Sequence, residues 1–278
     1  MALWTEQRDR LRARAEHARS SHASVDVAVG VLERDSAIGG GLLAGALAYR
    51  LFVLLLPSAL LLVAGLGLYA GAAHESTSDV SEEVGLHGLI GSHVAETASS
   101  PARWIFFLVT IPVVLYALVK LYRAVAIVHA LAWRRSGRGV GFTAAGIALL
   151  GAALLVDVGA AAIVGWIRRQ NEAGGLAALL VYFILVGGAW LLVSRRLPGG
   201  EAGWRALVPG ALAVGAGLLL VNIFNLYVTT RLVENQANTY GVLGVATALL
   251  FSLVLVGRII VLGAELNASL DRHRRAHG

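Results

Sequence analysis

The chain has 278 residues, 57% of them hydrophobic and 14% charged, with a mean hydropathy of +0.73. That much apolar sequence exceeds what a soluble domain of this length needs, so a polytopic membrane protein is the default. Cysteine is absent, which excludes disulfides, thiolate metal sites and cysteine nucleophiles. The sequence pI of 10.2 does not indicate nucleic acid, because the basic residues punctuate apolar spans and form no single stripe with interleaved aromatics.

The N-terminal "EQRDRLRARAEHAR" reads as a solvated, charged arm. It is not the start of a cleavable signal, since the first apolar run begins near residue 39 and is far too long. Next, "VDVAVGVLERDSA" places Val25, Ala28, Val29 and Leu32 on one helical face beside Glu33 and Asp35. This predicts an amphipathic helix lying on the cytoplasmic leaflet.

Six stretches then reach the roughly 20 residues that cross a bilayer core. They run over 41–72, 104–132, 141–166, 176–193, 206–230 and 240–266. Between the first two, "VSEEVGLHGLIGSHV" spaces Val80, Val84, Leu86, Leu89 and Ile90 as in a short amphipathic helix. His87 and His93 there do not share a face and predict no metal site. The expected division is a cytoplasmic arm and interfacial helix (1–38), a six-span domain (39–267, with an external loop at 74–102) and a cytoplasmic tail (268–278).

Basic residues set the orientation. The arm, the linkers 133–139 and 194–205 and the tail carry 15 arginines, while the opposite linkers carry four: Arg103, Arg168, Arg169 and Arg231. Both termini are therefore expected in the cytoplasm. Pro57, Pro112 and Pro209 interrupt spans, and Gly41-xxx-Gly45 and Gly67-xxx-Gly71 are expected to permit close helix contacts.

Two segments carry a resemblance. "GGGLLAGALAYRLFVLLLPSALLLVAGLGL" and "NTYGVLGVATALLFSLVLVGRIIVLGAELNASL" are similar to the most recognisable parts of the YihY/BrkB family of bacterial inner-membrane proteins. The matching positions include Ala48, Tyr49, Pro57, Tyr240, Gly241, Leu243, Gly244, Gly263, Ala264, Glu265, Leu266 and Asn267. The resemblance implies a six-span bundle, an interfacial N-terminal helix, the bacterial inner membrane and a role in envelope integrity. It implies no reaction, and an older ribonuclease label on the family does not fit a chain without clustered carboxylates to hold metal.

Four cations lie inside spans. Arg50 is about ten residues into the first, roughly 15 Å along its axis. Lys120 and Arg123 share a face of the second, with Tyr116 one turn before Lys120. Arg258 and Glu265 share a face of the sixth. An arginine facing lipid costs at least about 2.5 kcal/mol, so Arg50 is expected to face a polar interior. Snorkelling to the headgroups is the alternative for Lys120, Arg123 and Arg258, and a structural pair of Glu265 with Arg258 or Arg50 is another. One carboxylate does not neutralise four cations, so the reading is a cytoplasm-open cavity that holds an anion with Arg50, Lys120, Arg123 and Arg258, flanked by Tyr49 and Tyr116. A second polar group, Asp157, Asn222 and Asn225, suits either interhelical hydrogen bonds or a relay.

No phosphate-binding loop, nucleophile elbow or zinc-protease motif is present, so no catalytic residue, metal or cofactor is expected. The expected function is a transporter or flippase-like protein for an anionic lipid or lipid-linked envelope precursor. An envelope scaffold and a small-ion or osmolyte permease are the alternatives. Expected partners are membrane lipids, above all anionic phospholipid, with homo-oligomers and envelope proteins admitted and nucleic acid excluded. The topology has a direct check with single cysteines in this cysteine-free chain. In intact cells, Ser78→Cys should label with an impermeant thiol reagent and Ser136→Cys should stay protected; the reverse pattern rejects the orientation.

Overall fold

A computed structural model describes residues 23–73, 103–137, 141, 143–170, 172–225 and 242–277. The charged arm 1–20, the segment 80–94 with its histidines, Arg231, Tyr240 and Gly241 lie outside them. The described residues form seven helices and no strand: α1 (Ala23–Ile38), α2 (Gly40–Ala73), α3 (Arg103–Ala132), α4 (Ala144–Gln170), α5 (Glu172–Ser194), α6 (Trp204–Phe224) and α7 (Val242–His277). The six from α2 to α7 are each long and apolar enough to cross a membrane. Their outward faces carry Leu42, Leu108, Leu155, Leu176 and Leu220 exposed, as a surface solvated by lipid requires. The all-helical, six-span expectation therefore holds.

The chain divides into two compact units, Tyr49–Leu121 on one side and Met1–Ala48 with Tyr122–Gly278 on the other. In the second unit α4 packs on α5, α5 on α6, α6 on α7, and α1 on α7. Lipid supplies no hydrophobic drive between helices, so close backbone approach and interhelical hydrogen bonds must hold them. Glycine provides the approach. A Cβ on Gly257 of α7 would collide with the carbonyl of Ala44, and one on Gly215 of α6 would come within 3.1 Å of Gly187 Cα on α5. The glycines expected for this role behave differently. A Cβ on Gly41 or Gly45 would meet nothing within 4 Å, and the surroundings of Gly67 and Gly71 are not among those described. A small-xxx-small spacing marks a smooth face, and the neighbour that uses it is chosen by the rest of the bundle.

The closing segment "GAELNASL" finds its physical reason at α6. Pro209 has no N–H to give the carbonyl of Arg205, and Arg274 Nη1 donates to that carbonyl at 2.8 Å. One residue on, Gly210 N–H donates to the Oδ1 of buried Asn267 at 2.6 Å. A Cβ at Gly210 would overlap both the Gly263 carbonyl and the Asn267 amide.

One boundary differs from the sequence reading. Helix α7 runs on to His277, through the stretch read as a tail. Hydropathy ends near Leu266, but nothing there breaks a helix, and Asp271 and Arg275 pair at i,i+4 with 2.9 Å. Helix α1 turns Val31 and Asp35 inward, while Leu32, on the apolar face read as lying on the leaflet, is 62% exposed. Gly210→Ala should lower the melting temperature in detergent, at an overpacking cost of about 1–3 kcal/mol. Gly41→Ala, with open space around it, should not, and equal effects would reject this account of the contact.

Candidate functional site

The rotation of α1 is set by an ion pair. Arg258 on α7 donates both guanidinium arms to Asp35 on α1, Nη1 to Oδ1 at 2.6 Å and Nη2 to Oδ2 at 2.5 Å. The pair sits over the α1–α2 turn, where Gly39 adopts a φ of 68° and Gly40 lies so close that a Cβ would fall on the Asp35 carboxylate. A left-handed residue there is a natural glycine position, and the close approach at Gly40 requires a second one. The sequence reading gave the role of Arg258's partner to Glu265, and the structure gives it to Asp35. Position in sequence misled, because Glu265 shares a helix with Arg258 whereas Asp35 is 223 residues away.

Glu265 is 1% exposed, and neither carboxyl oxygen has a hydrogen-bond partner among the described residues. Asp35, Arg34, Arg258 and Arg272 all lie within electrostatic reach of it. Two of those arginines have carbonyl partners. Arg34 Nη2 donates to Leu131 O at 2.9 Å and Arg272 Nη1 to Ala132 O at 3.5 Å, at the C-terminal end of α3, where cations complement the helix dipole.

In the unit Tyr49–Leu121 the cations meet rings. Arg50 Cζ lies 5.8 Å from the Tyr49 ring centroid and Lys120 Nζ lies 5.0 Å from that of Tyr116. Tyr49 and Tyr116 are 60% and 63% exposed. Arg123 belongs to the other unit and is exposed. Among the described residues none of Arg50, Lys120 and Arg123 makes an ion pair with a carboxylate. A cation over an exposed ring gains about 0.5–1 kcal/mol, less than the roughly 2.5–3.5 kcal/mol for a charge at the membrane centre. The rings alone do not settle these charges.

The third expected group separates into pairs. Asp157 on α4 accepts from the Tyr182 hydroxyl on α5 at 2.6 Å, and that hydroxyl also lies 3.5 Å from Leu218 O on α6. Asn225 Oδ1 accepts from Ser252 on α7 at 2.9 Å. Asn222 Oδ1 is buried with no hydrogen-bond partner among the described residues. Each bond ties one helix to another, and none links Asp157 to either asparagine. Tyr182 and Ser252 were absent from the sequence reading, and Asp35 entered it only as a polar neighbour on the first helix. Buried His129 was absent too; its Nδ1 donates to Val125 O at 3.0 Å while its Nε2 has no partner among the described residues. Ordinary span residues give little signal of this kind. No metal-holding group of three occurs among the described residues.

The model of one protein family, described as Virulence factor BrkB, matches residues 31–278. No curated protein and no solved structure matches the chain.

The two carboxylates should separate on mutation. Asp35→Asn leaves a partly buried guanidinium without its counter-charge and should cost on the order of 3 kcal/mol. Glu265→Gln removes no ion pair and should cost distinctly less in the same thermal melt. A larger loss for Glu265→Gln would return the role of Arg258's partner to Glu265.

Proposed function

This chain belongs to the Virulence factor BrkB family and is an integral, multi-pass membrane protein, and from that premise we propose that it handles an anionic lipid. It acts as a transporter or flippase-like protein for a phospholipid or a lipid-linked envelope precursor, in the bacterial inner membrane with both termini cytoplasmic. It carries out no reaction on its cargo.

One observation supports this reading above the others: Arg50, Lys120 and Arg123 lie in helices that cross the membrane, yet none meets a carboxylate among the described residues. A charge at such depth requires a counter-group. A lipid phosphate admitted to a polar cavity would supply it, its acyl chains staying in hydrocarbon while guanidinium nitrogens take its oxygens. Arg258 leaves the proposed set, because Asp35 already occupies both of its arms. Tyr49 and Tyr116 stay in the set beside Arg50 and Lys120, both exposed. A permease working through Asp157 has less support, since that carboxylate is held by Tyr182. The scaffold alternative differs in retaining no particular lipid.

Native mass spectrometry of the purified protein separates these readings. The parent should retain anionic phospholipid, Arg50→Lys part of it, and Arg50→Leu little, with Arg50→Leu melting near the parent temperature. A full lipid complement on Arg50→Leu would make Arg50 a structural residue and remove the main support for lipid handling.

A further inference from the structure

Two cavities open where the segment after α3 meets the α5–α6 connection, and the last turns of α7 close the first of them. One of about 410 Å³ is lined by Arg134, Arg135, Arg272 and Arg275 with Glu201 and Asp271. The other, of about 440 Å³, is lined by Arg135, Arg195 and Arg196 with Glu201. They share the exposed Arg135–Glu201 pair, bonded at 3.2 and 2.6 Å, which stands between them.

The charges do not balance. Asp271 is engaged with Arg275 and Glu201 with Arg135, leaving Arg134, Arg195, Arg196 and Arg272 with no ion pair among the described residues. Helix capping accounts for Arg272, which with Arg34 serves the last carbonyls of α3. Stacking accounts for the placement of Arg195, its Cζ 4.0 Å from the Trp204 ring centroid. Arg134 and Arg196 have neither explanation.

Arg134 carries a second anomaly. Helix α3 ends with Arg135 N–H bonded to Ala130 O at 2.8 Å and Arg134 N–H to Leu131 O at 3.0 Å, a Schellman ending that puts residue 134 in the left-handed region at φ 56°. Glycine is the usual residue at that position because it has no Cβ to strain. Here a strained arginine lines the first of the two cavities, and strain held in place of an easy glycine points to use. Trp133 lines the same cavity, and its indole N–H is buried with no acceptor among the described residues.

We propose that this paired cleft is a binding site for a phosphomonoester or pyrophosphate group, held by Arg134 and Arg196. Glu201 acts as a built-in competitor that yields Arg135 to the incoming phosphate. Displacing one carboxylate joins the two cavities and puts the planar donors of Arg135 on the ligand, a geometry suited to bidentate phosphate recognition. The hydrogen bond and charge of Arg135 hold the Glu201 carboxyl below its ordinary range, so the competitor is ionised at neutral pH. The charge pattern assigns this end of the bundle to the cytoplasm, where soluble phosphates and lipid headgroups both have access. The cleft shares no residue with Arg50, Lys120 and Arg123, so the two readings stand or fall separately.

The test uses the full chain in a detergent with an uncharged headgroup, titrated calorimetrically with pyrophosphate and with a short-chain phosphatidic acid. Arg134→Gly restores the favoured glycine and should keep or raise the melting temperature while weakening binding by about tenfold, the loss expected for a charge-assisted contact. Arg196→Gln should weaken binding similarly, and Glu201→Gln should tighten it several-fold. This pattern with pyrophosphate identifies a soluble phosphate ligand, and the same pattern with phosphatidic acid alone identifies a lipid headgroup. No binding of either probe to the parent, or equal affinity in Arg134→Gly, Arg196→Gln and Glu201→Gln, overturns the site.

Discussion

The pairing of Arg258 with Asp35 is the interaction on which the arrangement of α1 and α7 rests. A guanidinium in an apolar helix needs a counter-charge, and none adjacent in sequence engages it. The carboxylate comes instead from α1, a helix outside the six spans, and three local features follow. Helix α1 is rotated so that Val31 and Asp35 face inward and Leu32 faces outward. The chain turns at Gly39 in a conformation that favours glycine, and Gly40 is bare because the carboxylate lies over it. A partly buried pair of this kind adds little net stability compared with apolar packing, yet removing one partner is costly. Its value here is register: the pair specifies which edge of α1 meets α7.

The remaining helices follow one rule of membrane packing, which is bare backbone contact with a polar tie nearby. Gly210 and Gly263 approach closely, and Asn267 accepts the Gly210 N–H next to Pro209 in α6. Tyr182 joins α5 to α4 through Asp157, and Ser252 joins α7 to α6 through Asn225. In a solvent as apolar as leucine, such contacts supply the association energy that burial supplies in water. The proline therefore belongs to a hydrogen-bonded joint in which the carbonyl it frees finds a partner in Arg274, so it needs no transport cycle to explain it.

The cations fall into two populations. Arg34, Arg258, Arg272 and Arg274 are occupied by a carboxylate or by backbone carbonyls. Arg50, Lys120, Arg123, Arg134 and Arg196 have no carboxylate among the described residues. The first population explains the fold. The second motivates the lipid and phosphate readings, because a charge with no structural occupation is the one free to take a ligand.

The sequence by itself determined the class of the protein. Span number, helical type and family resemblance depend on local hydropathy and on short motifs, and a run of about 20 apolar residues allows few other outcomes in water or lipid. It also located the chemically interesting residues in part: Arg50, Lys120, Arg258, Asp157 and Glu265 stand out as charges against an apolar background. Tertiary structure decided their partners. Asp35 rather than Glu265 holds Arg258, Tyr182 rather than an asparagine holds Asp157, and Gly257 rather than Gly41 makes a close contact. Periodicity reports which residues share a face, not which helix that face meets. The arginines of the linkers, legible in sequence only as markers of orientation, became a lined cleft once the fold brought Arg134, Arg196 and Glu201 to one end of the bundle. Pairings across tens or hundreds of residues are set by packing, and packing leaves no local signature in the chain.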